Sequence, residues 1–164
     1  KAATDFGMPM GPVELADTVG LDICQSEAQN LSAAYGIGLP EALNRFVTSK
    51  QLGKKSGRGF YNYDKGKPVK DKDPDLGDQK MIQNRLVFRL LNEAAACLKE
   101  GIVTDKDLLD AGIIFGTGFA PFRGGPMHHS LQEGVESLVA AMSDYEVKYG
   151  KRFHPAEGWS LVTE

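Results

Sequence analysis

Cysteine is scarce here: among 164 residues only Cys24 and Cys97 carry a thiol. Both sit in helix-like apolar patterns, and neither has a second Cys or a His at metal-ligand spacing. That predicts reduced core thiols in a cytosol-like compartment rather than a disulfide. Long apolar runs are also missing, which excludes a membrane-spanning helix. The opening KAATDFGMP lacks the apolar core of a signal peptide. No sign of charge dominates: 19 Lys and Arg face 22 Asp and Glu, for a net charge of −3. Electrostatics therefore gives no reason to expect nucleic acid or an anionic membrane as a partner. What remains, 41% hydrophobic and 25% charged, has the composition of one ordinary globular domain or two small ones.

Complete chemical motifs are lacking as well, although the glycines invite a search. A dinucleotide-binding Gly-x-Gly-x-x-Gly turn needs three glycines between a strand and a helix. The three Gly-x-Gly pairs run on to Asn62, Glu41 and Pro121 where the third glycine should stand. In GKKS a Lys intervenes between Lys54 and Ser56, and Thr48 stands where a phosphate-binding loop needs its first glycine. His128 and His129 are adjacent and cannot share a helix face, and His154 stands alone, so packing or surface roles are expected for all three. No Ser or Cys lies in a nucleophile-elbow context.

What is present is a repeat. Residues 22–36 place Cys24, Ala28, Leu31 and Tyr35 on one helical face, opened by Asp22 and stopped by Gly36. Residues 136–150 place Leu138, Met142, Tyr145 and Tyr149 at the same spacing, stopped by Gly150, each 114 residues later than its counterpart. The same offset carries Gly11-Pro12 onto Gly125-Pro126 and Gly20 onto Gly134, while Phe6-Gly7 maps onto Phe115-Gly116 at 109. An ordered set of matches of this kind indicates an internal duplication.

The second copy also shows what belongs before its Phe-Gly. Residues 80–100 predict a long helix with Val87, Leu91, Ala94 and Leu98 on one face, ended by Gly101. A short helix follows, with Thr104 as its cap and Asp105 and Asp107 suited to its positive end. The first copy is therefore expected to lack its long helix and to begin near the end of its short one. The division expected is a first helical unit at 1–63, an exposed, charged linker at 64–79, and a second helical unit at 80–164. Only GFYNY is strand-like, and it is expected to be extended. The fold class expected is all-α.

Two stretches are candidate sites. Lys54, Lys55 and Arg58 stand in a Gly-rich turn that suits phosphate contacts. The same turn equally suits a solvated basic loop, or a hydrogen-bonded clasp holding Phe60, Tyr61 and Tyr63 on the helices. Phe6, Met8 and Met10 suit either core packing or a deformable apolar surface for flexible chains.

With these residues assembled, the sequence resembles a known family. FGMPMGPVELADTVGLDI followed by LGKKSGRGFYNY is similar to the C-terminal domain of the 3-hydroxyacyl-CoA dehydrogenases. NRLVFRLLNEAAACLKEGI with FGTGFAPFRGGP resembles the second C-terminal unit of the multifunctional fatty-acid oxidation α-subunits. The resemblance implies a tandem of two helical units, of the kind also seen in the 6-phosphogluconate dehydrogenase C-terminal domain. It implies oxidation of an (S)-3-hydroxyacyl-CoA by NAD in β-oxidation, with a His–Glu pair as base and a Ser and an Asn polarising the substrate oxygen.

The NAD-binding Rossmann domain, with the His, Glu and Ser, is expected to lie outside these residues, and so is the Asn. No catalytic, cofactor-binding or metal-binding residue is expected here, and Asn84, in the matching place of the second copy, is given no catalytic role. By position, Phe6, Met8, Pro9 and Met10 are candidates for the wall near the acyl chain. The resemblance further implies acyl-CoA as ligand, the two units packed as a pseudo-dimer, and a thiolase subunit as partner; the composition suggests a bacterial-type cytoplasmic location, with a mitochondrial or peroxisomal one left open. Two other readings stay open: a stand-alone helical interaction module, and the helical domain of another β-hydroxyacid dehydrogenase.

Overall fold

The computed structural model describes residues 1–36, 38–71 and 77–163. In chain order the helices are α1 (Ala2–Phe6), α2 (Pro12–Val19), α3 (Leu21–Tyr35), α4 (Glu41–Thr48) and α5 (Gln79–Lys99). They continue with α6 (Lys106–Thr117), α7 (Pro126–Glu133), α8 (Val135–Tyr149) and α9 (Trp159–Val162). The all-α expectation holds, with one small exception. Strands β1 (Asn62–Asp64) and β2 (Lys67–Val69) form an antiparallel hairpin in which Asn62 pairs with Val69. Its two-residue turn has Lys65 and Gly66 both at positive φ, the twist that closes a tight hairpin.

That hairpin lies partly in the stretch expected to be an exposed linker. Residues 72–76 of the expected linker lie outside the described residues. Another expectation shifts by one position: Asp105, not Thr104, caps α6, accepting from the backbone N–H of Asp107 and Leu108. Asp22 stands inside α3 rather than at its start, where Gly20 is the cap. Helices α2 and α4 have no counterpart among the sequence expectations, because each is only eight residues long and shows barely two turns of periodicity.

By contacts the chain forms two compact units, Lys1–Pro9 with Gly77–Glu164, and Met10–Leu76. In the first unit α5 is the spine. Its Leu91, Ala94 and Ala95 are buried in one cluster with Leu109 of α6, Met127 of α7 and Met142 of α8. Phe88 meets the Tyr145 ring edge-on at 5.1 Å. Asn92 is the polar pin of this core. Its amide donates to the His154 carbonyl, and its oxygen accepts from the Ala156 backbone N–H and the Trp159 indole. One side chain thereby ties α9 and the segment before it to the spine. Helix α1 joins the same unit, with the Gln83 side chain donating to the Ala2 carbonyl at 3.0 Å.

In the second unit α2, α3 and α4 pack beside the hairpin and the loop that leads into it. The centre of this unit is a charged residue. Asp17 on α2 is fully buried, and Leu21 beside it is equally inaccessible.

Candidate functional site

The Gly-rich stretch 51–63 is built around the Asp17 carboxylate. One oxygen accepts the backbone N–H of Phe60 at 2.9 Å. The other accepts the N–H of Tyr61 at 2.9 Å and the Tyr63 hydroxyl at 3.2 Å. A buried carboxylate is tolerable only when its lone pairs are filled in this way. The glycines follow from the same geometry. A side-chain carbon on Gly53 would land on the Asp17 backbone, and one on Gly59 would land on its carboxylate. Burial, together with the Asp17 charge and hydrogen bond, pushes the Tyr63 phenol up to about 12.

The three candidate phosphate contacts stand on the outside of this clasp. Lys54 and Arg58 are exposed. Lys55 is paired with Asp22 at 2.5 Å, an exposed pair in which the lysine holds the aspartate below the usual carboxylate range. The loop thus has a buried, fully bonded inside and a basic rim.

The stretch around Phe6 is assembled differently. Phe6 is buried, edge-on to Phe119 at 5.4 Å and to His129 at 5.3 Å. The Arg123 guanidinium covers its other face at 4.1 Å and donates to the Phe6 carbonyl at 2.7 Å. Gly7 then ends α1 in the left-handed region, and a side chain there would strike Phe122 and Ala120. Met8 is half-buried against the core, and Pro9 is exposed with its ring beside Gly118. Met10 belongs to the other unit, with its sulfur 4.0 Å from the Thr18 hydroxyl. Phe6, Met8 and Pro9 are therefore brought together, and the unit boundary falls between Pro9 and Met10.

Two features escaped the sequence reading. The first is Asp17. The second is Asp110 on α6, also buried, whose oxygens accept the N–H groups of Met127 at 2.6 Å and His128 at 2.9 Å. It neutralises the first free donors of α7. Burial raises its pKa, against the pull of those two bonds. Neither carries a local signal, since α2 and α6 each hold other polar residues and the partners of each Asp lie far along the chain. His129 is held below its ordinary pKa, mainly by burial and then by Arg123. Cys24 and Cys97 are free thiols, each pushed up by burial.

No group of three or more His, Cys, Asp or Glu side chains among the described residues is arranged to hold a metal. The dinucleotide expected for the family has no fit here either. Among the described residues the only sheet is the two-stranded hairpin, so no glycine turn joins a parallel strand to a helix. No helix among the described residues is long and apolar enough to cross a membrane.

Residues 1–63 match the family model described as 3-hydroxyacyl-CoA dehydrogenase, C-terminal domain. Over those 63 residues the chain is similar to that C-terminal domain. Curated relatives extend the likeness across nearly all of the sequence. The fatty acid oxidation complex subunit alpha of Shewanella sp. (strain MR-4) is 38% identical over 94% of the chain. That of Vibrio vulnificus is 38% identical over 96%. The chain spans 24% of the length of each of these relatives.

Solved structures show the same fold. The 3-hydroxybutyryl-CoA dehydrogenase of Escherichia coli superposes with a TM-score of 0.71 at 19% identity, over 95% of this chain and 51% of that one. The dehydrogenase part of multifunctional enzyme 1 from C. elegans superposes with a TM-score of 0.68 at 19% identity, over 98% and 40%.

Proposed function

We propose that these residues form the C-terminal helical portion of an NAD-dependent (S)-3-hydroxyacyl-CoA dehydrogenase of fatty-acid β-oxidation. The observation that carries this reading is the continuous likeness to fatty acid oxidation α-subunits across both halves of the chain. In this reading the portion is scaffold and substrate wall. NAD and the reacting groups belong to a Rossmann domain, and these residues hold none of them. Met8, Pro9 and Met10 line the acyl chain, with Phe6 packed behind them in the core, and Lys54, Lys55 and Arg58 offer cations to the phosphates of coenzyme A. The exposure of Lys54 and Arg58 on a rigid loop supports that second assignment.

We also read the chain as two related units, 1–63 and 80–164, joined by 64–79 and packed as a pseudo-dimer. Support comes from element lengths. Helices α2 and α3 have 8 and 15 residues, as do α7 and α8, with Gly-Pro opening and a positive-φ glycine joining each pair. We further infer a thiolase subunit as partner and a bacterial-type cytoplasmic location; the relatives' description as subunits of a fatty acid oxidation complex supports a multi-subunit assembly.

A chimera tests the activity. The corresponding last quarter of the Shewanella α-subunit is replaced by this chain, and NADH formation from a 3-hydroxyacyl-CoA is followed. The chimera is expected to turn over and the chain alone to be inert. A folded chimera without activity, or turnover by the chain alone, would overturn the reading.

A further inference from the structure

The two copies differ in length at one joint where their sequences otherwise match. Three residues separate Gly7 from Gly11, and eight separate Gly116 from Gly125. The longer stretch contains a single 3-10 turn, Pro121–Arg123. Its added residues do not cover the Phe115 of their own copy, which stays 89% exposed. They wrap the corresponding Phe6-Gly7 instead. Phe119 meets the Phe6 ring edge-on, and a side chain on Gly7 would strike Ala120 and Phe122. Arg123 lies over the Phe6 ring and donates to the Phe6 carbonyl. Further along, a side-chain carbon on Gly118 would stand 3.0 Å from the Pro9 ring.

Arg123 is the part of this wrap that packing alone does not require. It is half-buried, and among the described residues it forms no ion pair. Desolvating a cation without a carboxylate to balance it is costly, and a methionine would fill the same space. What the planar guanidinium adds is direction. Its ring contact and its N–H bond grip the side chain and the backbone of one residue, Phe6. The Phe122 ring lies 5.3 Å from the same guanidinium. Immediately afterwards Gly7 turns the chain at φ 116°. The N–H groups of Gly7 and Met8 then bond back to the Thr4 and Ala3 carbonyls, each at 3.0 Å. The course of Met8 and Pro9 is decided at the corner that Arg123 fixes. We propose that Arg123 is a positioning residue for the acyl wall, acting through Phe6 on Met8 and Pro9. The added residues of the second copy thereby set the acyl-length preference of the first. The inference rests on the dehydrogenase reading for its substrate, but not for its geometry.

Two measurements test it. In the 164-residue chain, Arg123→Met should quicken amide exchange at Gly7 and Met8 about tenfold or more. The amides of α8 around Met142 should not change. In the chimera, kcat/KM for 3-hydroxypalmitoyl-CoA should fall about tenfold, through KM. For 3-hydroxybutyryl-CoA, whose chain ends before the wall in this reading, it should stay within about twofold. Arg123→Lys keeps a donor and a cation without the planar fork, and should recover part of the loss. Phe122→Ala uncovers the guanidinium but removes a side chain that is 76% exposed. It should shift the same substrate ratio by less, and it decides the test if Arg123→Met does not fold. A merely structural role would lower both substrates alike, through less folded enzyme. Unchanged exchange at Gly7 and Met8, or equal effects on the two substrates, would overturn the proposal. A chimera inactive with Arg123 in place overturns the dehydrogenase reading, and the acyl half of the proposal with it. The exchange measurement still judges the clamp.

Discussion

Helices α2 and α3 match α7 and α8 in length and in their glycine joints, yet the two pairs differ in what they bury. In α7 and α8, Met127, His129, Leu138 and Met142 are buried. In α2 and α3, Val13, Leu15, Val19, Ile23, Leu31 and Tyr35 are all exposed, and burial is confined to Asp17 and Leu21. The second pair packs in a unit with the 21-residue spine α5, whereas among the described residues the unit of the first pair has no helix longer than α3. A helical pattern makes a helix, but burial requires a surface to lie against. Lacking a spine, the smaller unit is organised by a carboxylate. Both pairs open on a glycine cap without a side chain, and at α7 Asp110 supplies the missing acceptor.

The sharpest way to break this comparison is at the two carboxylates. Asp17→Ala removes three hydrogen bonds and leaves two backbone donors without partners. It should cost about 3–4 kcal/mol and loosen residues 53–63. Asp110→Ala loses two bonds and relieves a buried charge, so a smaller cost of about 2 kcal/mol is expected. Urea denaturation of each variant measures both. An Asp17→Ala loss no larger than that of Asp110→Ala would contradict a unit built around its carboxylate.

Next come paired truncations on the matching helix faces. Met142→Ala empties a fully buried site and should cost about 3 kcal/mol. Leu31→Ala, in the other copy, removes a side chain that is 53% exposed and should cost less than about 0.5 kcal/mol. Equal costs would erase the asymmetry.

Smaller effects separate the units by pH. His129 has a folded pKa below its ordinary 6.5, so the unfolded chain binds the proton more readily. Its contribution is fully present above 6.5 and is lost as pH falls through the lower folded value. Tyr63 moves the opposite way, from 10.0 to about 12. Its contribution is present below 10.0 and is lost as pH rises toward about 12. Thermal melts followed across pH should therefore show an acid-sensitive α1–α5–α7 unit and an alkali-sensitive clasp. His129→Phe should flatten the acid limb, and Tyr63→Phe the alkaline one.

Much of this was legible from spacing. The faces read at 22–36, 80–100 and 136–150 became α3, α5 and α8 with boundaries one residue away. Periodicity is a property of one helix, and it finds what one helix determines. Asp17 escaped because its partners lie 43 to 46 residues further on, and nothing within VELADTV distinguishes a buried Asp from an exposed one. The hairpin escaped because its turn is Lys65-Gly66, which lacks the Asn-Gly or Asp-Gly signature, and because its charges read as a solvated connection. The clasp in the Gly-rich turn depends on geometry that spacing does not carry. Gly53 and Gly59 face the buried carboxylate, while Lys54 and Arg58 face water.

The contrast between the two helix pairs is tested most directly by native-state hydrogen exchange, read amide by amide along α3 and α8. Protection in α8 should approach that of global unfolding, while α3, beyond its first turn near Leu21, should exchange through local openings orders of magnitude faster. Equal protection along the two helices would contradict the account.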